Sequence, residues 1–109
     1  MKYSILTSES FDRKLKRLAK KYTSIKDDLV DVVKQLYVNP QLGTSIGNNC
    51  FKIRIAITSK GKGKSGGARI ITYVIHLQNT IYLLDIYDKS EQEDITEKQL
   101  KALIESILL

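Results

Sequence analysis

Three cations on two neighbouring stretches of this chain could do chemistry together. Lys52 and Arg54 alternate with Phe51, Ile53, Ile55 and Ile57, and Arg69 opens a second apolar run, Ala68 to His76. Period-two alternation puts the four apolar residues on one face of a sheet and the two cations on the other, a face expected to be free of helices. Like charges side by side on one strand repel each other unless an anion visits them. Fixed ammonium and guanidinium groups on a sheet suit a polyanion, nucleic acid first. Arg69 shares a face with Ile71, Tyr73 and Ile75 on alternation. Between the two runs lies Thr58 to Gly67, which holds Lys60, Lys62, Lys64 and four glycines. Those glycines permit positive φ and expose backbone N–H groups, so the loop is expected to lie along a phosphate backbone or to form a mobile hairpin tip. It is no nucleotide-hydrolysing P-loop. Position 58 is Thr where the pattern needs glycine, and a strand follows instead of a helix.

The remaining candidates are weaker. Tyr73 could stack on an unpaired base, with ordinary strand packing as the competing reading. His76 is the one histidine and falls in the opposite register from Arg69, which favours a surface or packing role. Asp85 and Asp88 read as neutralising partners for cations, since no third ligand joins them for a metal. One cysteine, Cys50, and one histidine exclude an internal disulfide and a Cys/His zinc set. That cysteine usage fits a reducing cytosol, so a cytoplasmic location is expected.

Elements that position these residues can be read from the same string. The 109 residues, 42% hydrophobic and 28% charged, fit one ordinary globular domain. A net charge of +6 leaves phosphate backbones, acidic proteins and anionic membranes as partners. No run approaches the roughly 20 apolar residues that span a bilayer, and no signal-peptide pattern follows Lys2. Lys2 to Thr7 reads as a first strand. Phe11, Leu15, Leu18, Ala19 and Tyr22 form a helical stripe that Ser8 or Ser10 can cap. Ile25, Leu29, Val32, Val33 and Leu36 form a second, begun at Thr23 or Ser24 and stopped at Asn39-Pro40. Residues 40–49 read as a polar loop. Strands are expected at Phe51 to Ile57, Ala68 to His76 and Ile81 to Tyr87. Thr96 to Gln99 has the spacing of a capping box before a last helix. The order β-α-α-β-β-β-α predicts an α+β domain. Its small antiparallel or mixed four-stranded sheet carries an N-terminal helical hairpin on one face and a C-terminal helix.

The run Phe51-Lys52-Ile53-Arg54, the Gly/Lys loop into Gly67-Ala68-Arg69-Ile70-Ile71-Thr72-Tyr73, and Tyr82 to Glu91 together resemble the RelE/ParE toxin superfamily. The nearest branch is that of RelE- or HigB-type toxins of bacterial type II toxin–antitoxin modules. The resemblance spans nearly the whole chain, and Lys89-Ser90-Glu91-Gln92 before a capped helix is its most distinctive local piece. It implies a ribosome-dependent mRNA endoribonuclease that inhibits translation, needs no cofactor or metal, and leaves a 2′,3′-cyclic phosphate and a 5′-hydroxyl. It also implies a cognate antitoxin, the ribosome and mRNA as partners, and no membrane. By position, Lys52, Arg54, Arg69 and Lys89 fall on the catalytic cations. Lys60, Lys62, Lys64, Tyr73, Tyr87 and His76 are the expected RNA contacts. Two departures stand out. Lys89-Ser90 takes the place of an arginine after the fourth strand. Ile95 and Leu100 lie where some members carry a tyrosine, leaving Tyr87, Tyr73 or His76 to fill that role. A gyrase inhibitor of the ParE kind, or a non-catalytic RNA-binding or decayed toxin domain, would share the fold without the chemistry.

Overall fold

Ser8 shows how the strand and helix propensities are joined. Its backbone is extended, its Oγ accepts from the Phe11 N–H at 3.0 Å, and its hydroxyl donates to the Leu84 carbonyl at 2.8 Å. The N-cap thus also ties the helix to the sheet. The computed structural model describes residues 2–108. Strand β1 (Ser4–Thr7) leads into α1 (Glu9–Lys21), and α2 (Ile25–Val38) follows after a short turn. Then come β2 (Thr44–Gly47), β3 (Cys50–Ile55), β4 (Ala68–Ile75), β5 (Thr80–Asp88) and α3 (Glu97–Leu108).

The sheet has five strands, not four, in the order β1-β5-β4-β3-β2. The extra strand lies inside the stretch expected to be a polar loop. Asn48 and Asn49 at φ 56° and 60° make a two-residue hairpin turn, and Gly47 pairs with Cys50 across it. Asparagine tolerates this left-handed backbone, which is why so polar a segment can still be a hairpin. Strand β1 pairs in parallel with β5, while the other pairings are antiparallel.

Both faces of the sheet are covered, which corrects the expected helix-free face. Ile53, Ile55, Ile57, Ile70, Val74 and Ile81 pack against Phe11, Leu18, Ile25 and Leu36 of the helical hairpin. On the opposite face Cys50, Ile71, Leu84 and Tyr87 pack with Leu100, and Ile95, Leu103, Ile104 and Ile107 lean against them. A bulge in β5, opposite Ile71 and Thr72, adds one residue to that strand. It lets both Leu83 and Ile86 face the hairpin core although they are three apart. It also brings Tyr87 into line with Arg69.

Candidate functional site

Register places the cations with more precision than alternation can. Arg54 of β3 lies directly opposite Arg69 of β4, and Arg69 lies opposite Tyr87 of β5. Directly opposed residues on antiparallel strands sit roughly 4.5–5.5 Å apart at Cα, so the two guanidinium stems leave the sheet as immediate neighbours. Lys52 lies one pair further along β3, opposite Ile71. Lys89 follows β5, and its N–H donates to the Gly67 carbonyl at 3.0 Å. Lys52 and Lys89 therefore flank Arg69 on opposite diagonals. Of the four expected catalytic cations, Arg54 and Arg69 are directly opposed, and Lys52 and Lys89 lie on either diagonal from Arg69.

Their surroundings differ. Arg54 is exposed, and no carboxylate of the described residues pairs with it or with Arg69. Arg69 is only 5% exposed, and its Nη1 donates to the carbonyls of Lys64 at 2.8 Å and Ala68 at 3.1 Å. It pins the Gly/Lys loop as well as contributing charge. Thr72 Oγ1 is the one buried side-chain polar atom without a partner among the described residues. The guanidinium nitrogens of Arg69 that make no hydrogen bond must therefore reach solvent.

Lys52 is half-buried and meets Asp94 at 3.2 Å; Lys89 meets Glu93 at 3.7 Å. Asp94 Oδ1 also accepts from the Ile95 N–H at 2.8 Å and from the Tyr87 hydroxyl at 3.5 Å. The Ile95 N–H, aided by Lys52, holds the Asp94 carboxyl below its ordinary value. Burial, with the Asp94 charge adding to it, pushes the Tyr87 phenol up to about 12. Lys52 and Asp94 line a recess of about 490 Å³ with Ile46, Asn48, Thr96 and Glu97.

The expected RNA contacts divide. Lys62 and Lys64 stand exposed on the loop beside the cation row. Lys60 does not join them. Its Nζ lies 2.8 Å from Asp88, a fully buried carboxylate that also accepts from the Tyr22 hydroxyl at 2.6 Å and from Ser90 N and Oγ at 2.9 and 2.8 Å. Burial alone would raise the Asp88 carboxyl, but the bonds from Lys60, Tyr22 and Ser90 outweigh it and hold it well below the carboxylate range. Lys60 is a structural cation, and sequence could not show it because its partner lies 28 residues away. His76 sits at the other end of β4 from Arg69, roughly 20 Å off by strand rise. There it meets the Tyr3 hydroxyl at 3.1 Å. Tyr87 is buried in the α3 cluster, so its ring is no free stacking platform, while Tyr73 is partly buried and packs against the same cluster. Asp85 is buried and pairs with Lys14 at 2.6 Å, the neutralising role its sequence position suggests. Among the described residues no cluster of three His, Cys, Asp or Glu side chains could hold a metal ion. The residue that sequence reasoning missed is Asp94. The acidic run Glu91 to Asp94 was the available signal, but its contact with Lys52 spans 42 residues.

Residues 10–106 match the family described as the RelE toxin of the RelE/RelB toxin–antitoxin system. The chain belongs to the RelE toxin family. Solved structures with the same fold include the isolated E. coli RelE toxin, at TM-score 0.59 and 16% identity, covering 94% of this chain and 97% of that one. A double-mutant E. coli RelE in the free state matches at TM-score 0.60 and 19% identity, over 85% and 90%. The intact E. coli RelBE toxin–antitoxin complex matches at TM-score 0.58 and 17% identity, over 79% and 95%. At these identities the structural likeness speaks for the fold alone.

Proposed function

We propose that this RelE-family toxin cuts mRNA in the ribosome and so inhibits translation. The observation that carries the reading is the opposed Arg54–Arg69 pair, flanked by Lys52 and Lys89, with no carboxylate of the described residues on either arginine. Such a pair is unfavourable in the free protein and becomes favourable when a phosphate enters between the two stems. In the reaction a 2′-oxygen attacks the adjacent phosphorus and the bond to the 5′-oxygen breaks. The products are a 2′,3′-cyclic phosphate and a 5′-hydroxyl. Arg54 and Arg69 stabilise the non-bridging oxygens as charge builds on them. Lys52 and Lys89, on opposite sides of Arg69, face the entering and leaving oxygens.

A cognate antitoxin is the second partner. Membership in a toxin–antitoxin family supports it, and an acidic antitoxin segment would complement the net charge of +6. Among the described residues no helix is long and apolar enough to cross a membrane.

The test is controlled expression in a bacterium of the wild type beside Arg54→Gln, with 5′-end mapping of cellular mRNA. Arg54 is exposed and pins nothing, so it is a cleaner probe than Arg69. Loss of one transition-state donor is worth roughly 10²–10³-fold in rate. New cuts inside translated codons, lost in the variant, are expected. Growth arrest with intact mRNA would end the reading, and arrest with damaged DNA would point to gyrase.

A further inference from the structure

The cation cluster leaves one chemical role unfilled: something must take the proton of the attacking 2′-hydroxyl. Arginine cannot, because it stays charged. Lys52 Nζ donates a hydrogen bond to the Asp94 carboxylate at 3.2 Å, which fits a cation better than a base. Tyr87 is buried and keeps its phenolic proton at neutral pH. His76 lies at the far end of β4. Glu93 is 92% exposed, and its carboxylate is drawn to Lys89 at 3.7 Å.

Asp94 is different in geometry. Its Oδ1 is held from three directions, by Ile95 N–H, Lys52 Nζ and Tyr87 hydroxyl at 2.8, 3.2 and 3.5 Å. No hydrogen bond from the described residues reaches its Oδ2. The side chain is 60% exposed, so Oδ2 is open to an incoming group. Three donors on one oxygen fix the carboxylate rotamer and leave the other oxygen presented beside Lys52. The ionisable groups facing it are Lys52 from β3, Tyr87 from β5 and, across the same recess, Glu97 of α3, whose carboxylate is drawn to Lys101 at 3.4 Å.

We propose that Asp94 is the general base of this site, its Oδ2 taking the proton of the attacking 2′-hydroxyl while Lys52 and Tyr87 hold Oδ1. The inference rests on the ribonuclease reading above. The 2′-oxygen forms its bond to phosphorus as Asp94 gains the proton. The phosphorus–5′-oxygen bond breaks on the Lys89 side, and the Lys89 ammonium gives the departing oxygen its proton. Solvent then returns the two groups to their starting states. In-line displacement requires base and acid on opposite sides of the phosphorus, and by strand register the backbones of Lys52 and Lys89 lie on opposite diagonals from Arg69.

A carboxylate base and a lysine base predict different pH behaviour. Asp94 is already ionised throughout the neutral range, so the single-turnover rate stays flat between pH 6 and 8. A lysine base would make the rate climb about tenfold per pH unit there. The experiment is single-turnover cleavage of mRNA on programmed ribosomes by the purified protein, with wild type, Asp94→Asn and Asp94→His compared from pH 6 to 8. Asp94→Asn is expected to lose roughly 10²–10⁴-fold in rate. It should keep substrate affinity and become dependent on hydroxide, rising tenfold per pH unit. Asp94→His is expected to recover part of the rate with an inflection near pH 6.5, the ordinary histidine value. Three results overturn the proposal while leaving the ribonuclease reading standing: a wild-type rate that climbs with pH, an Asp94→Asn rate equal to or above wild type, or a loss in Asp94→Asn with an unchanged pH profile. A wild-type protein that cuts no RNA overturns both.

Discussion

Removing one oxygen from Tyr22 tests how the loop that carries Lys64 is held. Tyr22→Phe keeps the ring in its packing against the core and keeps the cations of Lys21 and Lys60 over its face, at 5.3 and 5.4 Å from the centroid. It deletes only the hydroxyl that donates to Asp88 Oδ2 at 2.6 Å. Asp88 is 0% exposed, so water does not replace the lost donor. A hydrogen bond to a charged acceptor is worth roughly 1.5–3 kcal/mol, which sets the expected loss of stability at pH 7. With the urea dependence usual for small domains, that is a fall of about 1–2 M in the unfolding midpoint. The sign with pH follows from the depressed carboxyl of Asp88. A carboxyl lowered by folding contributes stability above its unfolded value, about 3.9, and loses it as pH falls through the folded value. Tyr22→Phe returns the folded value toward the ordinary one. The gap between variant and wild type is therefore full at neutral pH and closes only as pH falls below the variant's folded value, which itself stays under the ordinary carboxyl value because Lys60 and Ser90 still bond Asp88. Urea unfolding at pH 7 and at about pH 2, followed by circular dichroism, measures both. A loss under about 0.5 kcal/mol at pH 7, or a loss that is no smaller at the acid pH, refutes the hydrogen-bond account of Asp88.

Two further outcomes separate structure from chemistry. Arg54→Gln leaves thermal stability within roughly 0.5 kcal/mol, as befits an exposed side chain, whereas Arg69→Gln also lowers it by about 1–3 kcal/mol because the Lys64 carbonyl loses its donor; a thermal melt of each variant decides. Gly67→Ala is expected to cost more than either. An added Cβ would stand 2.0 Å from the Ile55 carbonyl oxygen, so β3 and β4 must part where Arg54 and Arg69 meet; a variant that melts with wild type contradicts the packing described.

How much was legible in the sequence depends on how far apart the partners lie. The helices and the three antiparallel core strands follow from apolar periodicity, which is local, and Phe51 to Ile57 fell on the expected face. The β2 strand was hidden because Thr44–Gly47 is short, polar and an edge, and only Asn48-Asn49 marks its turn. The pairing of β1 with β5 joins residues more than seventy positions apart, and no local pattern records it. The shared face of Lys52 and Arg54 was legible because alternation fixes a face even when register is unknown. The acidic partners of Lys52 and Lys60 were not, since Asp94 and Asp88 reach them across long stretches of chain. Lys60 and Lys62 look alike in the sequence, yet one is locked to Asp88 and the other is exposed.

The ends of the cut RNA test the central claim most directly. Purified protein is mixed with ribosomes programmed with a defined mRNA, and the downstream fragments are offered to a polynucleotide kinase with no prior phosphatase treatment. Attack by the 2′-oxygen leaves 5′-hydroxyl ends, so the fragments accept label, and the labelling disappears with Arg54→Gln. Fragments that carry 5′-phosphates, or that form equally well with Arg54→Gln, would contradict the account.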